Sequence, residues 1–251
     1  MRALITGASS GIGRDMARYL AHKGYDLVVV ARRSDRLETL KNELTNVDVV
    51  CIGADLSKVD ECKRVYEMTK DMQIDMLINN AGFGLAGEFI DTDLSEELRM
   101  IDTNITALHV LTKLYLSDFY KRDSGIILNV ASSAAFMAGP LLNTYYATKN
   151  YVYRLSQAIY QELKEKKSKV KISILCPGPI KTEFLDVANV GFIINGLSSE
   201  YVAKYAVDKA LKGKLIIIPG AMMKIGKFLL RFTPEKLMLK ISYRIQHKKK
   251  K

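Results

Sequence analysis

Seven short apolar runs punctuate this chain: Ala3-Leu4-Ile5, Leu27-Val28-Val29-Val30, Val47-Asp48-Val49-Val50, Met76-Leu77-Ile78, Ile126-Ile127-Leu128-Asn129-Val130, Val170-Lys171-Ile172-Ser173-Ile174-Leu175 and Leu215-Ile216-Ile217-Ile218. Most are continuously apolar instead of alternating, which is the pattern of strands covered on both faces. Between them lie stretches of helical period at Gly13 to Lys23, Arg36 to Leu44, Lys58 to Met72, Glu96 to Phe119 and Thr148 to Lys166, each long enough to cross a sheet. Crossovers of this kind are right-handed and place helices on both faces, so the expected α/β fold is a doubly wound parallel sheet of seven strands. Such sheets bind ligands beyond the C-terminal ends of their strands. No repeat, linker or composition shift interrupts the pattern before residue 219. Residues 1–221 therefore read as one domain, and 222–251 as an extension without a fold of its own.

The 251 residues are 48% hydrophobic, ample for a single core. The formal net charge of +11 is not spread evenly. Residues 222–251 hold ten Lys and Arg against the single acid Glu235, a net +9, and leave the body at +2. A nearly neutral body without a recognition motif argues against nucleic acid as the partner. No apolar run reaches the roughly 20 residues of a bilayer-spanning helix. The opening Met1-Arg2-Ala3-Leu4-Ile5 also lacks the pattern of a secretory signal. Cys51, Cys62 and Cys176 are odd in number and far from any CxxC spacing, so neither a disulfide framework nor a zinc site is indicated. His22, His109 and His247 have no neighbouring Cys or carboxylate at ligand spacing, and no metal is expected. A cytoplasmic location fits these features.

The first strand runs through Thr6-Gly7-Ala8-Ser9-Ser10-Gly11-Ile12-Gly13 straight into a helical pattern. Glycines at such a strand-to-helix turn let the backbone approach a pyrophosphate, whose charge the free N–H groups at the helix N-terminus stabilise. A tight turn that needs positive φ would use the same residues, so the glycine cluster alone does not decide.

With its other motifs the sequence resembles the short-chain dehydrogenase/reductase family, in order, over residues 1–218. TGASSGIG at 6–13 is similar to the family's cofactor fingerprint, with Gly7, Ser9, Ser10, Gly11, Ile12 and Gly13 in the contacting positions. Asp55-Leu56 looks like its adenine-side acid, and Asn79-Asn80-Ala81-Gly82 like its NNAG motif. Asn104 stands where the family keeps an asparagine, Ser132 precedes Tyr145 at the family's spacing, and Tyr145 to Lys149 supplies YxxxK. Pro177-Gly178-Pro179-Ile180-Lys181-Thr182 is similar to the PG motif that leads to the nicotinamide carboxamide, with Pro177, Gly178, Ile180 and Thr182 as contacts. Ala131 and Ala135 stand where the family often has Ser and Gly, departures that touch loop packing only. The resemblance implies a Rossmann-type fold, a nicotinamide cofactor, hydride exchange with a carbonyl or secondary alcohol, and association as a homodimer or homotetramer through the helices around Asn104 and Tyr145. It leaves open a catalytically idle nucleotide-binding or redox-sensing protein on the same fold, which the complete Asn104, Ser132, Tyr145, Lys149 set argues against.

Tyr145 and Lys149 are four apart on one helix and so share a face. An ordinary phenol, with a pKa near 10, is a poor proton carrier at neutral pH, and a nearby ammonium lowers that value. Ser132, at the end of the Ile126 to Ala131 strand, is placed to hydrogen-bond a carbonyl while Tyr145 moves the proton; Ser133 competes for that role, and the spacing to YxxxK selects Ser132. Asn104 is expected to hold a water that relays protons through Lys149. After the second strand, where NAD enzymes of the family carry an acid, this chain has Ala31 followed by Arg32 and Arg33. Guanidinium groups pair bidentately with phosphate, so the expected cofactor is NADP(H), the form cells keep reduced, and the expected direction is carbonyl reduction. Phe192-Ile193-Ile194, within the stretch 184–197, suggests an apolar substrate.

The basic extension lies outside the resemblance. Ile225, Phe228, Leu229 and Phe232 share one helical face, largely opposite Lys224, Lys227 and Arg231. After Pro234, Met238, Ile241 and Ile245 oppose Lys236, Lys240 and Arg244. The preferred reading is a pair of helices that dock on the body and cover the substrate pocket, followed by a frayed Lys248 to Lys251. The alternative is a weak, peripheral contact with an anionic membrane surface.

Overall fold

The computed structural model of the chain describes residues 1–180 and 196–247. All seven expected strands form: β1 (Arg2–Thr6), β2 (Asp26–Ala31), β3 (Val49–Gly53), β4 (Met76–Asn79), β5 (Ile126–Val130), β6 (Lys171–Leu175) and β7 (Ile216–Ile217). They build one parallel sheet in the order β3-β2-β1-β4-β5-β6-β7. Helices α1 (Gly11–His22), α2 (Ser34–Glu43), α3 (Val59–Thr69), α4 (Leu94–Ile101), α5 (Leu108–Lys121), α6 (Asn143–Glu165) and α7 (Ser199–Leu211) connect or flank the strands, and α8 (Ala221–Leu230) and α9 (Glu235–His247) follow the last one.

The uninterrupted apolar runs are explained by two cores. Successive side chains of a strand point to opposite faces. Ala3, Ile5, Leu27 and Val29 therefore pack with Met16 and Leu20 of α1, Leu37 of α2 and Val202 and Ala206 of α7. Leu4, Val28 and Val30 pack on the other side with Val65 of α3, Leu111 and Tyr115 of α5 and Leu163 of α6. Burying each of these Leu, Ile or Val side chains stabilises the sheet by about 1.5–3 kcal/mol, so both faces of every central strand have to be apolar.

Three boundaries differ from the sequence reading. Strand β3 begins at Val49 instead of Val47, because its register with β2 runs from Leu27↔Val49 to Ala31↔Gly53. The Asp48 amide is held at the entry by Asp26 Oδ1. The expected single helix from Glu96 to Phe119 is a continuous helical path from Leu94 to Lys121 that widens into a π segment at Asp102–Ala107. Helix α6 starts at Asn143, ahead of Thr148, and so takes Tyr145 into its first turn.

Strand order reverses at β1: the chain steps outward through β2 and β3, then returns to β4 on the other side of β1. The crevice above Thr6 and Asn79 is thus the topological switch point, where an open sheet leaves room for a ligand.

Candidate active site

Thr6, at the end of β1, ties the two strands that flank this crevice: its Oγ1 accepts from the amides of Asn80 (2.9 Å) and Ala81 (3.0 Å). The turn that follows needs Gly7 at φ +67° and Gly11 at +54°, a region that side chains disfavour. Asn80 Nδ2 donates to the carbonyls of Thr6 (3.0 Å) and Gly7 (3.1 Å), which fixes the turn from the β4 side. Gly13 lies directly beneath, where a Cβ would come within 2.5 Å of the Gly7 oxygen, so α1 abuts the turn. Ser10 caps α1 with extended backbone and no side-chain cap bond, and the first turn of α1 carries no acid. The positive end of the helix is therefore left to an anion from outside.

At the end of β2 the small, buried Ala31 precedes the two exposed arginines. Arg33 reaches over the glycine turn, donating from Nη2 to Ser9 Oγ (3.3 Å) and Ser10 Oγ (3.1 Å). Arg32 lies near Asp55. Burial raises the pKa of the Asp55 carboxyl, but the Ser57 hydroxyl (2.9 Å) and amide (3.2 Å), with Arg32 adding to them, lower it further than burial raises it. Asp55 is thus held ionised at the far end of the crevice.

The other end is built by β5, α6 and the π segment. Ser132 leaves β5 in extended conformation; its Oγ accepts from the Ala134 amide (3.1 Å) and is hydrogen-bonded to the Tyr145 hydroxyl. Lys149, one turn along α6, donates to the Val130 carbonyl (3.1 Å), with its Nζ 5.8 Å from the centre of the Tyr145 ring. Burial disfavours the charged form of both groups. It pushes the Tyr145 phenol up to about 12, against the Ser132 hydrogen bond, and Lys149 down to about 8. Asn104, carried by the π segment, is buried, and its amide is engaged on both sides. Nδ2 donates to Phe83 O (2.9 Å) and Thr148 Oγ1 (3.1 Å), and Oδ1 accepts from the Phe83 amide (3.0 Å). A Cβ on Gly82 would lie 2.7 Å from Asn104 Oδ1 and 3.3 Å from Lys149 Nζ, so both groups face one point beneath Gly82.

A cavity of about 440 Å³ runs from the arginines to Tyr145. Gly7, Ser9, Ser10, Gly11, Ile12, Arg32, Arg33, Asp55, Leu56, Asn80, Ala81, Gly82, Ser132, Tyr145, Lys149, Pro177, Gly178 and Ile180 all line it. Gly13 sits under the turn and Asn104 under Gly82, behind the wall. Lys181, Thr182 and the apolar Phe192-Ile193-Ile194 lie outside the described residues.

Four further lining residues, Phe83, Leu142, Tyr146 and Gln246, surround the Tyr145 end. Gln246 comes from α9. It is 6% exposed and donates to the Tyr146 hydroxyl, while its carbonyl end, Oε1, is buried with no partner among the described residues. Nothing in the sequence marks this residue. The extension lines the pocket through Gln246; α8 has no fully buried residue, with Met223 half-buried against the core, and α9 turns the polar Ser242 and Gln246 inward and leaves its apolar stripe outside.

The comparisons agree with this architecture. The family model described as short chain dehydrogenase matches residues 1–190. Human 17-beta-hydroxysteroid dehydrogenase type 3 is 32% identical over 206 residues, which is 80% of this chain but 65% of that protein, just under two thirds of its length. A short-chain dehydrogenase from Sphingobium yanoikuyae in complex with NADPH superposes with a TM-score of 0.84 at 30% identity, covering 94% of each chain. A Burkholderia phymatum short chain dehydrogenase/reductase in complex with NAD gives the same TM-score at 21% identity, covering 91% of this chain and 92% of that one, a likeness of fold. With the family model matched over residues 1–190 and a solved member superposed over 94% of the chain at 30% identity, the chain belongs to the short-chain dehydrogenase/reductase family.

Proposed function

We propose that the chain is an NADP(H)-dependent oxidoreductase that reduces the carbonyl of an apolar substrate to a secondary alcohol. The observation that carries this reading is the convergence of Ser132, Tyr145 and Lys149 at one end of a cavity whose other end is crossed by Arg33. The cradle fits a dinucleotide: a side chain at Gly7 would come within 2.9 Å of the Ala81 Cα, and the α1 N-terminus and the Ser9 and Ser10 hydroxyls face the space left clear. In this reading Arg32 and Arg33 take the 2′-phosphate, Asp55 and Leu56 the adenine side, and Lys149 the nicotinamide ribose. Pro177, Gly178, Ile180 and Thr182 flank the carboxamide. When bound, the cofactor supplies a hydride at nicotinamide C4.

The protein's part is proton transfer and orientation. Ser132 Oγ donates to the substrate carbonyl oxygen and polarises it. The Tyr145 phenol then gives its proton to that oxygen as the carbinol forms. The upward push on Tyr145 keeps this proton in place at neutral pH, which suits a reduction. Lys149 offsets the charge left on the phenolate. Asn104, with its amide committed to Phe83 and Thr148, acts as a positioning residue that holds the NNAG loop against α6. Phe83, Leu142 and Tyr146 provide an apolar wall, and the unpaired end of Gln246 offers one acceptor to a substrate hydroxyl. Exposed Leu94 and Leu98 on α4 and Tyr151 on α6 support assembly of two or four copies through these helices.

A panel of bulky apolar ketones tests the reading: NADPH should be consumed in step with alcohol formation, faster than NADH at equal concentration. Cofactor binding without turnover of any ketone would instead favour an idle, redox-sensing protein. A second test follows from Lys149. The phosphates and ribose hydroxyls of the cofactor favour its ammonium form and raise its pKa above the value of about 8 in the free protein. Cofactor affinity should therefore be flat below about pH 8 and fall by up to about tenfold per unit above it, by linkage. Titration calorimetry of Lys149→Met should show lower affinity without this slope. A wild-type profile flat through that range would contradict the role given to Lys149.

A further inference from the structure

We infer that α8 and α9 form a docking surface for an anionic lipid bilayer. The extension is amphipathic the wrong way round for a helix pair that merely packs on its own domain. On α8 and the turn after it, Met222, Ile225, Phe228, Leu229 and Phe232 are 57–76% exposed. Phe228 and Phe232 pack edge to face on each other, with ring centres 5.3 Å apart. On α9, Leu237, Ile241 and Ile245 form a stripe 45–50% exposed. The sides turned to the body are mixed: Met223 packs against the core cluster that holds Ile218 and Cys176, and Leu230, Met238 and Leu239 are half-buried, but the anchoring contacts are polar. Lys227 donates to the Tyr153 hydroxyl (2.9 Å), Lys224 to that of Tyr205 (3.4 Å), and Ser242 to the Ala138 carbonyl (3.3 Å), and Gln246 reaches Tyr146. A helix face that leaves large apolar side chains in water while satisfying its polar ones on the protein calls for an apolar occupant on the outer side.

Charge selects which occupant. The same thirty residues carry net +9 on a body of +2, and on α9 Lys236, Lys240 and Arg244 run beside the apolar stripe instead of being dispersed. A second copy of this chain would bring an equal concentration of positive charge to the contact. A nucleic acid would match the charge but leave the Phe and Ile side chains in water. An anionic bilayer answers both, since such helices lie in the interface plane with the apolar side in the acyl boundary and the cations at the headgroups. Among the described residues no helix is long and apolar enough to cross a membrane, so the contact is peripheral. The inner side of α9 supplies Gln246 to the pocket wall, so docking would bring that wall close to the lipid. Docking itself does not depend on the reductase reading.

The test uses the full chain with vesicles of phosphatidylcholine alone and of phosphatidylcholine with about one third phosphatidylserine, followed by co-sedimentation at low and high salt. The protein should sediment with the anionic vesicles at low salt, at least about tenfold more weakly with the neutral ones, and be released by salt. Phe228→Glu/Phe232→Glu, on side chains that face away from the body, should weaken binding by at least about tenfold. Lys236→Gln/Lys240→Gln/Arg244→Gln should weaken it by about a hundredfold, near fivefold for each charge. Cofactor affinity and the circular dichroism spectrum of each variant should match the wild type, which separates lost docking from lost folding. Three results would overturn the inference: no sedimentation of the wild type with anionic vesicles, sedimentation unchanged in both sets of variants, or a change of oligomeric state in the Phe variants of a protein that does not sediment. Tight binding to RNA that survives Phe228→Glu/Phe232→Glu would overturn it as well.

Discussion

Tyr145→Phe should lower turnover by at least about a hundredfold, equivalent to about 2.7 kcal/mol of transition-state stabilisation, while leaving cofactor affinity within about threefold of the wild type. The substitution keeps the ring, its packing at the mouth of α6 and its edge contact with Tyr146, and removes only the hydroxyl that Ser132 touches. What is lost is therefore the proton and the hydrogen bond to Ser132, not the shape of the pocket. Steady-state kinetics and calorimetry on the same preparation separate the outcomes. Near-normal turnover would remove Tyr145 from the chemistry, and a parallel loss of cofactor binding would make it a structural residue.

Arg32→Ala/Arg33→Ala carries the second large effect. Arg33 spans the two serines of the glycine turn, and Arg32 lies close enough to Asp55 to act on its charge. Both are exposed, so neither supports the core. Each charge-assisted hydrogen bond to a 2′-phosphate contributes roughly 1.5–3 kcal/mol, so NADPH affinity should fall by at least about a hundredfold and NADH affinity by no more than about threefold. Equal losses for both cofactors would show that the arginines serve the loop and not the phosphate. The Sphingobium and Burkholderia proteins hold different cofactors, so the choice rests on this chain's own Ala31, Arg32 and Arg33.

The sheet was legible in the sequence because burial on both faces removes the choice of residue: Leu4 and Ile5 point into different cores and both have to be apolar. Where only one element sets the limit, the reading slipped. Val47 is as apolar as Val49, and only pairing with Leu27 decides which begins β3. The π segment at Asp102–Ala107 has no sequence signature, since its side chains keep a nearly helical spacing while the backbone bonds widen. The start of α6 escapes the periodicity because Asn143, Thr144 and Tyr145 are poor helix formers.

The candidate site was legible to the extent that backbone geometry dictates residue type. Gly7 and Gly11 need positive φ, and Gly13 and Gly82 have neighbours that leave no room for a Cβ. For Asn80 and Asn104 the structure adds what pattern does not carry: Asn80 Nδ2 holds the carbonyls of the glycine turn, and the Asn104 amide holds the Phe83 backbone and the Thr148 hydroxyl. Gln246 was invisible because helical periodicity reports the apolar face and assumes that it points inward. Here the extension is reversed, and the pocket wall comes from a polar position some hundred residues after Tyr146.

The most direct measurement follows the hydride itself. NADPH carrying deuterium at both C4 positions of the nicotinamide is incubated with the full chain and a bulky apolar ketone that it turns over, and the alcohol is analysed by mass spectrometry and NMR. One deuterium on the carbinol carbon in the wild type, with the label unchanged in the residual product of Tyr145→Phe, is the result expected if the pocket directs hydride to carbon and Tyr145 moves only the proton. An alcohol without deuterium at that carbon, or NADPH consumption with no alcohol formed, would contradict the account.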